Sequence, residues 1–123
     1  MNSNYYHKEL AEGRWQTLTL AEQMANIGSE VYRAINFFRK ENQESFQKAF
    51  DRALELFDLT LADKRWNGRK KEIGRCREVF CGLFFDSENI SNLENEFDSL
   101  NKYFFQFGIY ARLQKESGSN LSI

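Results

Sequence analysis

Residues 19–61 read TLAEQMANIGSEVYRAINFFRKENQESFQKAFDRALELFDLTL, and this stretch decides the fold. It opens on Thr19-Leu20-Ala21-Glu22, a capping box in which the Thr19 hydroxyl serves the backbone N–H of Glu22 and the Glu22 carboxylate reaches back. Apolar residues then recur at Leu20, Met24, Ile27, Val31, Ala34, Ile35 and Phe38. Those steps of three and four keep to one helix face. Gly28 lies beside the stripe, where a missing side chain lets another helix come close. Arg39 and Lys40 fall in the last turn, where they suit the helix dipole. Asn42 is placed to cap a second helix, with Glu44 in its first turn. The second stripe is Phe46, Ala49, Phe50, Ala53, Leu56, Phe57, Thr60 and Leu61. A linker of about two or three residues forces the two helices to be antiparallel neighbours.

The rest of the chain repeats the pattern. Residues 63–68 (DKRWNG) read as a turn, with Asn67-Gly68 supplying left-handed backbone. A third helix follows from about Arg69 to Phe85, with Ile73, Cys76, Phe80, Leu83 and Phe84 as its stripe. Ser91-Asn92-Leu93-Glu94 is a second capping box. The fourth helix carries Leu93, Phe97, Leu100, Phe104, Phe107 and Ala111 in a nearly strict a/d seam. The expected fold is therefore all-α, an antiparallel up-down four-helix bundle over residues 19–115. An N-terminal extension, 1–18, precedes it; a helical turn around Tyr6 to Ala11 ends at Gly13, and Trp15 and Leu18 fold back on the body. Residues 116–123 read as a disordered polar tail.

Composition agrees and excludes much. The chain has 123 residues, no proline, twelve phenylalanines and a formal net charge of -1. That length suits one domain with a core of its own. Without proline, no segment is barred from a long helix. No window approaches the roughly 20 apolar residues of a membrane span, so no membrane partner is expected. The start, Met1 to His7, lacks the apolar core of a signal peptide. Cys76 and Cys81, about 140° apart around a helix, cannot bridge each other. Both read as reduced thiols of a cytoplasmic protein.

No catalytic constellation emerges. The one histidine, His7, sits near the terminus, whereas a Ser-His-Asp or Cys-His site needs its base held rigidly beside the nucleophile. Phosphate-binding glycine loops are absent. Two cysteines and one remote histidine lack zinc spacing. Asp51, Glu55, Asp58 and Glu30 have no Glu-x-x-His partners of the di-iron kind; pairing with Arg33, Arg52 or Lys48 explains them better. The expectation is a non-enzyme without metal or cofactor.

Two features point to binding. Lys64, Arg65, Arg69, Lys70, Lys71, Arg75 and Arg77 are opposed within their segment only by Glu72, so residues 64–77 carry +6 and the remainder -7. With Trp66 among them, such a cluster suits phosphates and a stacked base, the signature of a nucleic acid or other polyanion partner. The pI near 5.9 speaks against a dedicated DNA binder. The second feature is an extra apolar stripe on the fourth helix. Phe105, Ile109 and Leu113 lie more than about 100° round from the Phe104/Phe107 seam, with Tyr103 and Tyr110 flanking the other side. An outer apolar stripe marks an interface, and a homodimer is the leading expectation. The rival covering for it is the N-terminal segment, through Tyr5, Tyr6 and Trp15.

Three stretches, LTLAEQMANIGSEV (18–31), AFDRALELFDLTLAD (49–63) and LNKYFFQFGIYAR (100–112), together resemble a family of small, uncharacterised bacterial and archaeal all-helical proteins. That resemblance spans most of residues 13–112 and implies no activity and no site residues. In size and layout the chain is also similar to the four-helix-bundle family encoded in 23S rRNA intervening sequences, whose relatives include oligomeric, RNA-binding accessory proteins. The helical HEPN ribonucleases offer a further likeness of architecture. Their R-x(4-6)-H motif is missing, since His7 precedes every arginine. These likenesses are of fold, not of function.

Overall fold

The structure, a computed structural model, describes residues 12–121, with side chains through 117. The Thr19 capping box forms: the Glu22 N–H donates to Thr19 Oγ1 (3.1 Å) and the Thr19 N–H to Glu22 Oε1 (2.8 Å). It opens α1, Leu20–Arg39. Asn42 Oδ1 accepts from the Ser45 N–H at 3.1 Å and opens α2, Gln43–Leu61. Between them, Glu41 takes a left-handed φ of 56°. Its N–H donates to Phe38 O and that of Asn42 to Phe37 O, the Schellman arrangement that reverses the chain in so few residues. Glycine usually fills that position; here glutamate bears the strain.

After α2, residues Lys64–Arg69 form a 3-10 helix. The left-handed pair expected at Asn67-Gly68 is absent: among the described residues positive φ occurs only at Glu41 and Gly13. The Asp63 carboxylate decides otherwise, accepting from the Arg65 N–H at 3.1 Å and winding the chain into a helical turn. α3 spans Lys70–Phe85, and α4 spans Leu93–Leu121 after a short 3-10 turn at Ser87–Asn89. The second capping box does not form. Glu94 instead accepts from Arg39 on α1 at 2.8 Å, and Ser91 makes no hydrogen bond to a described residue. α4 runs as far as Leu121, into the segment expected as a tail, whose last residues, 122–123, lie outside the described residues, as does the turn expected at Tyr6 to Ala11.

Cross-helix contacts show the up-down ring. Gly28 of α1 meets Phe104 of α4, and further along α1 Arg39 meets Glu94, so the two run antiparallel. The same holds for α2 and α3, through Phe50 with Phe85 and Asp58 with Arg77. α3 and α4 meet at Phe84 with Phe97 and at Glu72 with Tyr103. The molecule is thus all-α with four helices, and no strand occurs among the described residues.

The core has two unlike ends. At the α1–α2 turn it is aromatic, with Phe84 touching Phe38, Phe46, Phe50, Phe80 and Phe97 at centroid distances of 4.9–5.9 Å. At the opposite end it is a buried polar network. Trp15, fully buried, donates from Nε1 to Thr60 Oγ1 at 3.0 Å. Gln23, also fully buried, donates to Trp15 O (2.9 Å) and Asp63 Oδ2 (3.0 Å) and accepts from Trp66 Nε1 (2.9 Å). One glutamine thereby ties the segment before α1, the end of α2 and the 64–69 turn together.

Candidate interaction surfaces

The basic segment is divided by the fold. Arg65 grips Asp63, with Nη2 to Oδ2 at 2.7 Å, and donates to Leu18 O. Its guanidinium lies 4.4 Å from the Trp66 ring centre. Trp66 is half-buried with its N–H spent on Gln23, so the ring expected to stack on a base has one face under a cation and its edge in the core. Arg69 pairs with Glu72 at 2.9 Å and Arg77 with Asp58 at 3.1 Å. Lys64, Lys70, Lys71 and Arg75 make no ion pair with a described residue. Of the eight candidates, four are cations without an ion pair among the described residues.

The Arg65 guanidinium beside Asp63 holds that carboxyl down at a pKa of about 2, against the desolvation that opposes it. Burial pushes the Cys76 thiol up to about 12, with Glu72 adding to the effect. Burial likewise raises Cys81, although the Arg77 charge opposes it. Thiolates are the reactive form, so neither cysteine is activated.

The apolar candidates on α4 fall on two sides. Phe105 and Ile109 are 61% and 48% exposed and line a groove of about 1010 Å³ between α1 and α4. Leu113 continues the strip at 55%. Tyr32 of α1, 56% exposed, joins Phe105 across the groove. Small residues Ala25, Gly28, Ser29 and Gly108 line its interior. Arg33, Lys40, Lys102 and Arg112 line it too, and no carboxylate does. Tyr103 and Tyr110 line a separate cleft of about 700 Å³ with Trp66, Arg69 and Glu72. Tyr103 donates its hydroxyl to Glu72 Oε2 at 3.1 Å; burial, foremost, raises its pKa. Trp15 covers neither surface, and Tyr5, Tyr6 and His7 lie outside the described residues.

The carboxylates do not converge. Glu30 is buried and held by Arg33 (3.2 Å) and Arg52 (3.3 Å), while Asp51 accepts from Gln47 and Asp58 from Arg77. No metal-competent group of histidine, cysteine or carboxylate occurs among the described residues. None of the helices described is long and apolar enough to cross a membrane.

Sequence reasoning missed Gln23, Tyr32 and the α1 wall of the groove. Gln23 had a signal: it sits three residues after Leu20 and four before Ile27, inside an apolar stripe. Tyr32 had none, because only the packing of α1 on α4 brings it beside Phe105. In comparisons with known proteins, the chain matches no family model, no curated protein and no solved structure.

Proposed function

We propose that this chain is a non-catalytic, cytoplasmic interaction protein that self-associates through α4. One observation carries the reading. Phe105, Ile109 and Leu113, at 61%, 48% and 55% exposure, form a continuous strip beside Tyr32 along the α1/α4 face. Solitary exposed hydrophobes need no explanation, but a contiguous apolar patch marks a docking surface. Covering it removes those rings from water at a gain of roughly 25 cal/mol per Å².

Size-exclusion chromatography with light scattering tests the proposal. The full chain is expected to elute as a dimer, and Phe105→Asp or Ile109→Asp as a folded monomer with an unchanged circular-dichroism spectrum. A wild-type monomer at high concentration overturns it.

A second reading, a nucleic-acid-binding accessory protein using residues 64–77, has one observation in its favour. Lys64, Lys70, Lys71 and Arg75 have no ionic partner among the described residues. The internal use of Trp66, Arg65, Arg69 and Arg77 weighs against it.

A further inference from the structure

The apolar strip on α4 is symmetric about one residue. Phe105 and Leu113 each lie four positions from Ile109, and Lys102 and Glu116 each lie seven positions from it, one on either side. Seven residues make nearly two helical turns, so Lys102 and Glu116 each fall within about 20° of Ile109 in azimuth, one to either side. Phe105 and Leu113 sit about 40° to either side of Ile109. The face therefore carries an apolar centre, a cation toward one end and an anion toward the other.

We infer that the groove between α1 and α4 is filled by α4 of a second copy, laid antiparallel about a two-fold axis through Ile109. The inference rests on the self-association proposed above and gives it a geometry. About a two-fold axis, whatever residue i meets on the second copy, residue j, meets i in return, and a residue on the axis meets itself. Ile109 then meets Ile109, each Phe105 meets the other copy's Leu113, and each Lys102 meets the other copy's Glu116.

Charge decides the orientation. Lys102 and Glu116 are exposed, and neither makes an ion pair with any described residue. Antiparallel pairing satisfies both, twice over. Parallel pairing sets Lys102 on Lys102 and Glu116 on Glu116, and like charges across an interface are costly. Of the cations that line the groove, Arg33 is already paired with Glu30. Lys102 is the one that the antiparallel arrangement sets against the second copy's Glu116. Shape agrees with charge. Ala25, Ser29 and Gly108 leave depth between the ridges of α1 and α4, and a bulky side chain of the second copy enters there beside Tyr32.

The test combines charge reversal with a symmetric cross-link, in the full-length chain. Lys102→Glu alone and Glu116→Lys alone are expected to weaken the dimer about tenfold, since each creates two like-charge contacts. The double variant, Lys102→Glu with Glu116→Lys, is expected to return to near wild-type affinity. Ile109→Cys is expected to form a disulfide-linked dimer on mild oxidation, whereas wild type and Asn95→Cys, elsewhere on α4, do not. A dimer by light scattering without charge rescue and without the Ile109→Cys cross-link overturns the antiparallel geometry and leaves self-association standing. A wild-type monomer overturns both.

Discussion

Gln23 shows how much can rest on one side chain. It is fully buried, and its amide makes three hydrogen bonds to Trp15, Asp63 and Trp66. A buried amide is tolerable only when its partners are present, and removing it strands them. Asp63 is the charged member of the same network, held at a pKa of about 2 by Arg65. Folding therefore lowers its pKa below the ordinary 3.8. The resulting stabilisation is in full force above about pH 4 and is lost as pH falls through 4 toward 2. Urea unfolding of Asp63→Asn is expected to show a loss of about 2 kcal/mol at pH 7. The gap from wild type should close near pH 2. A gap that stays constant between pH 7 and pH 2 would mean that the carboxylate charge is not what matters there.

At the scale of the element, α1 and α4 are held face to face by an absence. A Cβ built on Gly28 would stand 2.5 Å from the Cβ of Phe104, closer than real carbons approach. Phe104 is itself buried, 3% exposed, and packs on Phe57 and Tyr103, so it has little room to yield. Gly28→Ala must push the two helices apart. Overpacking of this kind costs about 1–3 kcal/mol, against the gain in helix propensity from glycine to alanine. A thermal melt should fall by several degrees, roughly 4–8 °C per kcal/mol at this size or somewhat less. The same variant widens the α1/α4 groove, so a change in dimer affinity should accompany the lower melting point. A melt equal to or above wild type would show that the close approach carries no energetic weight.

Over the whole molecule, a near-zero net charge conceals a separation of +6 and -7. The fold spends part of that separation on itself, through Arg65 with Asp63 and Arg77 with Asp58. Among the described residues, Lys64, Lys70, Lys71 and Arg75 are left without an ion pair. If they hold nucleic acid, the chain should be retained on immobilised bulk RNA at low salt and released steeply as salt rises, because counterion release dominates such binding. Replacing all four by alanine should abolish that retention without disturbing the dimer. Retention unchanged by the quadruple variant would remove this reading. The -7 remainder repels phosphates at long range, so affinity should be modest even where the contact exists.

The sequence by itself determined the secondary structure and the order of the helices. The Thr19 and Asn42 caps, apolar steps of three and four, and a linker too short for anything but reversal are local facts, set within one or two turns of chain. It also picked out Phe105, Ile109 and Leu113 as surplus to the core, because a single helix has only one inward face. Two local signals were overridden: Arg39, from another helix, drew Glu94 away from its cap, and the neighbouring Asp63 carboxylate capped residues 64–69 into a 3-10 turn. Only the tertiary structure could decide that Trp66 points into the Gln23 network rather than outward, that Tyr103 and Tyr110 belong to a different cleft from Phe105, and that Tyr32 completes the groove. Those outcomes depend on which residues far apart in the chain are brought within a few ångströms, and helical periodicity specifies the face of a helix but not the neighbour it meets.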